Sequence, residues 1–296
     1  MMRLFWRLAP EMVLCLAIAS AAGCSDPVSG TPAGPPVLNS WSVVDNATGA
    51  SLDITTDGGP IQISGFVHLN ALFDRLIDGS TVTAIDGGVD QGTPDAVTID
   101  TAPALPPGTL TVNTIYTPNG GSIFLFYPLG PSLATTVAPT FPSGSTITAT
   151  MDKNKVRSKK GEAFVAAGDL ASGKLIFQTL PFSVAITVPM GDPDPDAGAD
   201  AGPPPVSPMM QAVTLAFTNL PDSDAVKNAI TVTSNGATYT DFTVAAESNP
   251  TVVDVTPTTT WPANATIVIS VSAAAKDALG GAIDSAASNT FMTGGM

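Results

Sequence analysis

One ordered set of landmarks occurs twice in this chain, and that repeat constrains the fold more than any other feature. Phe141-Pro142, Thr146-Ile147 and Gly161 answer to Trp261-Pro262, Thr266-Ile267 and Gly281, all at an offset of 120. A Phe-x-Thr ending follows each set, at Phe177-Gln-Thr179 and Phe291-Met-Thr293. Its offset is 114, because the first copy is six residues longer there. Upstream, Phe124-Leu-Phe-Tyr-Pro128 parallels Val253-Asp-Val-Thr-Pro257. Ile63-Ser-Gly-Phe66-Val-His-Leu69 parallels Thr214-Leu-Ala-Phe217-Thr-Asn-Leu220 at an offset of 151. Landmarks in one order at near-constant spacing predict a duplicated unit.

Each landmark reads as β-structure. Val213–Phe217, Ala229–Thr233, Tyr239–Val244, Thr251–Val255, Thr266–Val271 and Asn289–Thr293 are short, rich in β-branched residues and bounded by turn residues. Asp45–Gly49, Asn119–Gly121 and Asn235-Gly236 supply turns. With 27 Gly and 27 Pro in 296 residues, helices would be interrupted every few residues, which argues against an all-helical chain. Leu69–Ile77 is the best helical-period segment, enough for a turn or two on a loop. Strands at this spacing predict antiparallel sandwiches rather than an α/β fold.

Two stretches lack any such pattern. Residues 25–37 are Gly- and Pro-rich and read as a tether. Residues 190–208 (MGDPDPDAGADAGPPPVSP) bear four aspartates and hardly any large apolar side chain, so they read as an extended spacer. The expected layout is a leader over 1–23, a tether over 24–37, sandwiches over 38–189 and 209–296, and the linker 190–208 between them. Between its Phe and Pro landmarks the first copy spans 62 positions (Phe66 to Pro128) against 40 (Phe217 to Pro257). Its extra 22 residues are expected in loops near Asp86–Asp95 and Pro103–Pro107, where binding specificity can reside.

The leader carries Arg3 and Arg7 and then the apolar run Met12–Ala19, too short to span a bilayer. Ser20-Ala21-Ala22-Gly23-Cys24 resembles the lipobox of bacterial lipoproteins, with Ala21 where Leu is usual. The resemblance implies cleavage before Cys24 and lipidation of its thiol. An ordinary secretory signal is the alternative. After cleavage no cysteine but Cys24 remains, so disulfides and cysteine nucleophiles are not expected. In Gram-negative lipoproteins an Asp directly after the Cys tends to mark inner-membrane retention. Ser25 stands there, which implies the outer membrane.

The C-terminal copy resembles the bacterial Ig-like domain of the S-layer-protein (SbsA) type. The residues that carry the resemblance are Val213–Phe217, Pro257, Thr266–Val271, Lys276-Asp277-Ala-Leu-Gly280 and Phe291-Met-Thr293. The first copy is looser, with Arg157-Ser-Lys-Lys-Gly161 in place of the Asp-containing turn. The resemblance implies two tandem Ig-like sandwiches serving as stalk, spacer or adhesive module, and it brings no catalytic residues.

Candidates for chemistry are few. A formal charge of −14 excludes a nucleic-acid binder. The one histidine, His68, aligns with Asn219 in the repeat and is expected as an exposed strand-end side chain. No Ser lies in a Gly-x-Ser-x-Gly elbow. Asp192, Asp194 and Asp196 have calcium-loop spacing, but Ala197 and Pro203 replace the required Gly and Glu. Asp86, Asp90, Asp95 and Asp100 form a second acidic loop, a candidate calcium site. Lys153, Lys155, Arg157, Lys159 and Lys160 hold five of the eleven cations. Alternation along an extended segment would put the first four on one face. They could meet anionic polysaccharide or lipid headgroups, or guard a sheet edge. Trp41, Tyr116 and Tyr127 are the aromatics on which a sugar could stack.

These observations predict an all-β, non-enzymatic chain with no cofactor and no metal, acting as a spacer, structural or adhesive lipoprotein of the cell envelope. Its partners would be the membrane through Cys24, and other envelope proteins or polysaccharide. The alternative is a carbohydrate- or peptide-binding surface protein that uses the long loops of the first sandwich.

Overall fold

The computed structural model describes residues 34–53, 61–78, 85–86, 89–90, 96–105, 111–117, 122–129, 140–189 and 211–295. Residues 34–296 form one compact unit. Its first part contains β1 (Leu38–Asp45), β2 (Ser51–Asp53), β3 (Ile61–Ile63), β4 (Val67–Phe73), β5 (Ile85–Asp86), β6 (Val89–Asp90), β7 (Val97–Ala102), β8 (Thr111–Thr117), β9 (Ser122–Leu129), β10 (Thr146–Met151) and β11 (Lys174–Thr179). The second part contains β12 (Val184–Thr187), β13 (Val213–Phe217), α1 (Ser223–Ala229), β14 (Ile230–Ser234), β15 (Ala237–Tyr239), β16 (Phe242–Ala246), β17 (Val252–Pro257), β18 (Thr266–Val271) and β19 (Ala287–Met292).

The second part has sheets β12-β13-β17-β16 and β15-β14-β18-β19. Taken in chain order, this is the ABED and C′CFG arrangement of an immunoglobulin-type sandwich. The first part repeats it with β2-β1-β4-β9-β8 and β3-β11-β10-β7. Two devices differ at the sheet edges. In the first sandwich β3 lies parallel to β11, whereas in the second β15 closes a hairpin on β14. Asn235 (φ 48°) and Gly236 (φ 80°) turn that hairpin in the left-handed region that an Asn-Gly pair favours. The fold is therefore all-β with two antiparallel sandwiches, as the repeat predicted.

Alternation decides each core. Val67, Leu69, Ala71 and Phe73 of β4 are buried at every second position, with Trp41 and Val43 of β1 beside them. This overturns the helical period expected over Leu69–Ile77. Leu69, Leu72, Phe73, Leu76 and Ile77 fit a helical period while Val67, Leu69, Ala71 and Phe73 fit a strand, and pairing with β1 and β9 on both sides selects the strand. The second core gathers Val213, Leu215, Ile267, Ile269, Trp261 and Phe291. Helix α1, which the sequence reading missed, starts from Asp222, whose carboxylate accepts from the Asp224 and Ala225 amides.

The registers revise two alignments. Val213 faces Val255 on β17 as Leu69 faces Phe126 on β9, so β13 answers to β4 at an offset of 144. Phe73, not Phe66, is the counterpart of Phe217. Near the basic turn the two copies differ by one residue, so Gly161 (φ 80°) answers to Gly280 (φ 85°) rather than Gly281.

The expected domain range 38–189 takes in a strand of the other sandwich. β12 pairs antiparallel with β13, Val184 opposite Phe217 and Thr187 opposite Thr214. Phe182, 1% exposed, stacks on Phe217 at 5.3 Å. Residues 190–208 thus connect two neighbouring strands of the second sandwich. The sandwiches themselves are joined at Leu180-Pro181, between the buried Thr179 and Phe182. A run of Asp and Pro identifies a connection, but the sheet ladder alone says which strands it connects.

Candidate functional site: the two poles of the first sandwich

The strands of the first sandwich run between two ends. β4 starts beside Gly65 and finishes at Asp74-Arg75. β10 runs the same way, from beside Ser145 to Asp152. At about 3.3 Å per residue these ends lie roughly 20 Å apart.

One end is the junction with the second sandwich. Asn219, fully buried, donates through Nδ2 to Phe141 O (3.0 Å) and Ser143 Oγ (2.7 Å). Its Oδ1 accepts from the Leu220 amide (2.8 Å) and the Thr140 hydroxyl. Ser143 Oγ in turn donates to Asp277 Oδ2 at 2.6 Å. The other oxygen of this buried carboxylate accepts from the Leu279 and Gly281 amides. Gly65 is required at this contact. A Cβ there would lie 2.5 Å from both Asn219 Nδ2 and Phe141 O. Thr218 clamps the crossing chain, donating to Pro181 O (2.6 Å) and accepting from the Ser183 amide (2.9 Å). Each buried polar group therefore has a partner across a two-residue connection, a geometry that resists bending.

The opposite pole holds the incoming chain and the basic cluster. Asp74 accepts from the Val37 amide (2.7 Å) and pairs with Arg75, which also donates to Gly34 O (3.0 Å). The hydrogen bonds from Arg75 hold the Asp74 carboxyl below the usual carboxylate range. The Val165 amide donates to Pro36 O (2.8 Å) and the Leu38 amide to Val165 O (2.9 Å). Residues 34–37, expected to be tether, are thus fastened to the body.

Beside them, Arg157 bridges Ala163, and a turn between the two carries Lys159 and Lys160 at its tip. Ser158 Oγ caps the turn, accepting from the Lys160 and Glu162 amides (3.2 Å each). Lys155, Arg157, Lys159 and Lys160 are exposed. Lys153 is half-buried and donates through Nζ to Ala171 O, at the end of a 3-10 turn over Gly168–Ser172. The expected extended face is replaced by two consecutive turns, because Asp152 accepts from the Asn154, Lys155 and Val156 amides and reverses the chain.

The remaining candidates fall as follows. His68 is the second residue of β4, near the strand end as expected, but it is half-buried rather than exposed, its Nδ1 donating to Asn46 Oδ1 at 2.6 Å. Burial lowers its pKa, because desolvation disfavours the charged ring. Its match to Asn219 dissolves with the alignment that suggested it. In the β5–β6 pair Asp86 stands opposite Val89 and Asp90 opposite Ile85, and Asp100 is exposed on β7. Asp95, Cys24 and Asp192–Asp196 lie outside the described residues. Among the described residues no three His, Cys, Asp or Glu side chains come together as a metal site would require. Trp41 is fully buried and presents no surface to a sugar, while the side chains of Tyr116 and Tyr127 fall outside the described ones. The junction residue Asn219 gave no sequence signal of its role.

No protein-family model matches this chain, and no curated protein does. Among solved structures it is similar to titin fragments. One is an anomalous substructure of titin, at 7% identity and TM-score 0.24, covering 89% of this chain and all of that one. Another is a chimeric titin Z1Z2 carrying a peptide from decorin, at 7% identity and TM-score 0.31, covering 90% and 98%. A third is titin Z1Z2 in complex with telethonin, at 8% identity and TM-score 0.22, covering 90% and 99%. The immunoglobulin-type assignment rests on strand order and register.

Proposed function

We propose that this chain is a non-enzymatic lipoprotein of the cell envelope, in which two sandwiches of the bacterial Ig-like, S-layer type form a stiff spacer or adhesive module. The acyl chains on Cys24 would hold it at the outer membrane of a Gram-negative bacterium. The observation that carries this reading is the buried junction around Asn219, whose hydrogen bonds tie the two sandwiches into a fixed tandem. Several acyl chains on one cysteine suffice for stable anchoring, since each buried methylene contributes about 0.8 kcal/mol.

The test is the Cys24→Ser variant, expressed with its leader in a Gram-negative host and fractionated. Wild type is expected in the outer-membrane fraction after a carbonate wash, and the variant in the soluble periplasmic fraction. A variant that stays with the washed membrane removes the lipid anchor from the reading.

A further inference from the structure

The equivalent turns of the two sandwiches carry opposite chemistry at their tips. Ser158-Lys159-Lys160-Gly161 in the first occupies the place of Asp277-Ala278-Leu279-Gly280 in the second. The second turn packs on its own sandwich and the junction: the Ala278 amide donates to Leu220 O, and Asp277 accepts from Ser143. The first turn stands instead at the pole from which the chain continues toward Cys24. Gly34 is held there by Arg75, and the Glu162 carboxylate stabilises the same Arg75 cation.

Charge singles this pole out. Residues 152–162 hold five cations against two carboxylates, Asp152 and Glu162, a net of +3 in a chain of net −14. An anionic surface therefore repels the molecule as a whole and attracts this pole. The attraction does not require the cations to lack partners within the protein. It needs them within about a Debye length of the surface, ~8–10 Å. Nine residues lie between Cys24 and Gly34, so the chain between them can span at most roughly 35 Å. That keeps the pole near the bilayer but does not by itself seat it.

We propose that Lys155, Arg157, Lys159 and Lys160 form a membrane-facing foot that docks on the anionic phospholipid headgroups of the bilayer holding Cys24. The first sandwich then stands with its junction pole, and the second sandwich beyond it, directed away from the surface. This deepens the lipoprotein reading and rests on it for the identity of the surface.

The test replaces the natural anchor, so that it stands apart from the fate of Cys24. Residues 25–296 with an N-terminal hexahistidine tag are bound to vesicles through a nickel-chelating lipid. The vesicles are phosphatidylcholine, with or without one third phosphatidylglycerol, and contain a headgroup-nitroxide lipid as quencher. A fluorophore is placed by Asn154→Cys at the basic pole or by Thr259→Cys at the far end of the second sandwich. Quenching at position 154 is expected only with phosphatidylglycerol, and it should vanish in about 1 M NaCl, where the Debye length falls to roughly 3 Å. Position 259 should stay unquenched throughout.

Each cation near such a surface contributes about fivefold, so Lys159→Gln with Lys160→Gln should lower the docking constant roughly 25-fold. Lys159→Arg with Lys160→Arg should retain it, which separates charge from any effect on the turn. Equal quenching on neutral vesicles, no quenching on anionic ones, or an unchanged Gln variant overturns the proposal. A position-154 response to soluble alginate but not to lipid charge also overturns it, in favour of a polysaccharide.

Discussion

Corners at equivalent places in the two sandwiches are built alike. In the first, Thr179 Oγ1 donates to Pro142 O (2.5 Å) and accepts from the Ser145 amide (2.9 Å), while Phe141 meets Phe177 edge-on at 5.4 Å. In the second, Thr293 repeats both bonds with Pro262 and Ala265 at 2.5 and 2.9 Å, and Trp261 meets Phe291 edge-on at 5.5 Å. The capping turns at the opposite poles share their backbone bonds but not their side chains. Ser158 has one oxygen, which accepts from the turn amides and donates to Glu162 Oε2 (3.4 Å). Asp277 has two, so one caps the turn while the other receives Ser143 from the neighbouring sandwich. A corner that faces its own core is kept in both copies. A turn that faces whatever precedes it is rewritten to suit that neighbour.

The largest effect expected from this comparison comes from cutting the second sandwich at the right place. Residues 181–296 should melt cooperatively with a β-type circular dichroism spectrum. Residues 209–296 lack β12 and Phe182, and should melt far lower or without cooperativity. Deleting one buried Phe side chain already costs ~3–5 kcal/mol, against roughly 5–15 kcal/mol for a whole domain. Coincident melts of the two fragments would show that β12 contributes nothing to the second core.

The corners come next. Trp261 stands directly before Pro262, in the loop that enters β18. It is fully buried, and its Nε1 donates to Gln211 O at 2.8 Å. Trp261→Ala and Phe141→Ala should therefore each cost about 3–5 kcal/mol, read by calorimetry of the whole chain. A shift of only a degree or two for Trp261→Ala, beside a large one for Phe141→Ala, would break the equivalence of the corners.

The smallest effect probes the turns. Asp277→Ala leaves two amides and the Ser143 hydroxyl without their acceptor and should cost about 1–3 kcal/mol, while Ser158→Ala should cost nearer 1 kcal/mol. A double-mutant cycle of Ser143→Ala with Asp277→Ala should give a coupling of roughly 0.5–3 kcal/mol. Zero coupling would mean that the Ser143–Asp277 bond does not help to hold the two sandwiches together.

Much of this was readable beforehand. The corner residues Phe141, Thr179, Trp261 and Thr293 stood out because each corner closes over short stretches with a distinctive aromatic-Pro and Phe-x-Thr pairing. Val213–Phe217 and Thr266–Val271 stood out because alternation survives any detail of pairing. Ser158 was hidden by a one-residue slip, since aligning on Gly281 placed it opposite no capping residue. Asn219 was hidden because an Asn in a loop looks the same whether it meets water or a second domain. Helix α1 was announced only by Asp222, and a single N-cap is a faint signal over seven residues.

The sequence by itself determined the β class, the duplication and the residues that fill each core, because these follow from local side-chain chemistry and its period along the chain. Only the tertiary structure decided that Val184–Thr187 belongs to the second sandwich, that Phe73 rather than Phe66 answers to Phe217, and that Asn219 and Asp277 bind across a two-residue connection. Those outcomes depend on hydrogen bonds between segments 27 to 134 residues apart, as in Thr187 with Thr214 or Ser143 with Asp277. A backbone amide carries no label for its distant partner, so the partner is chosen by the packing of the whole core.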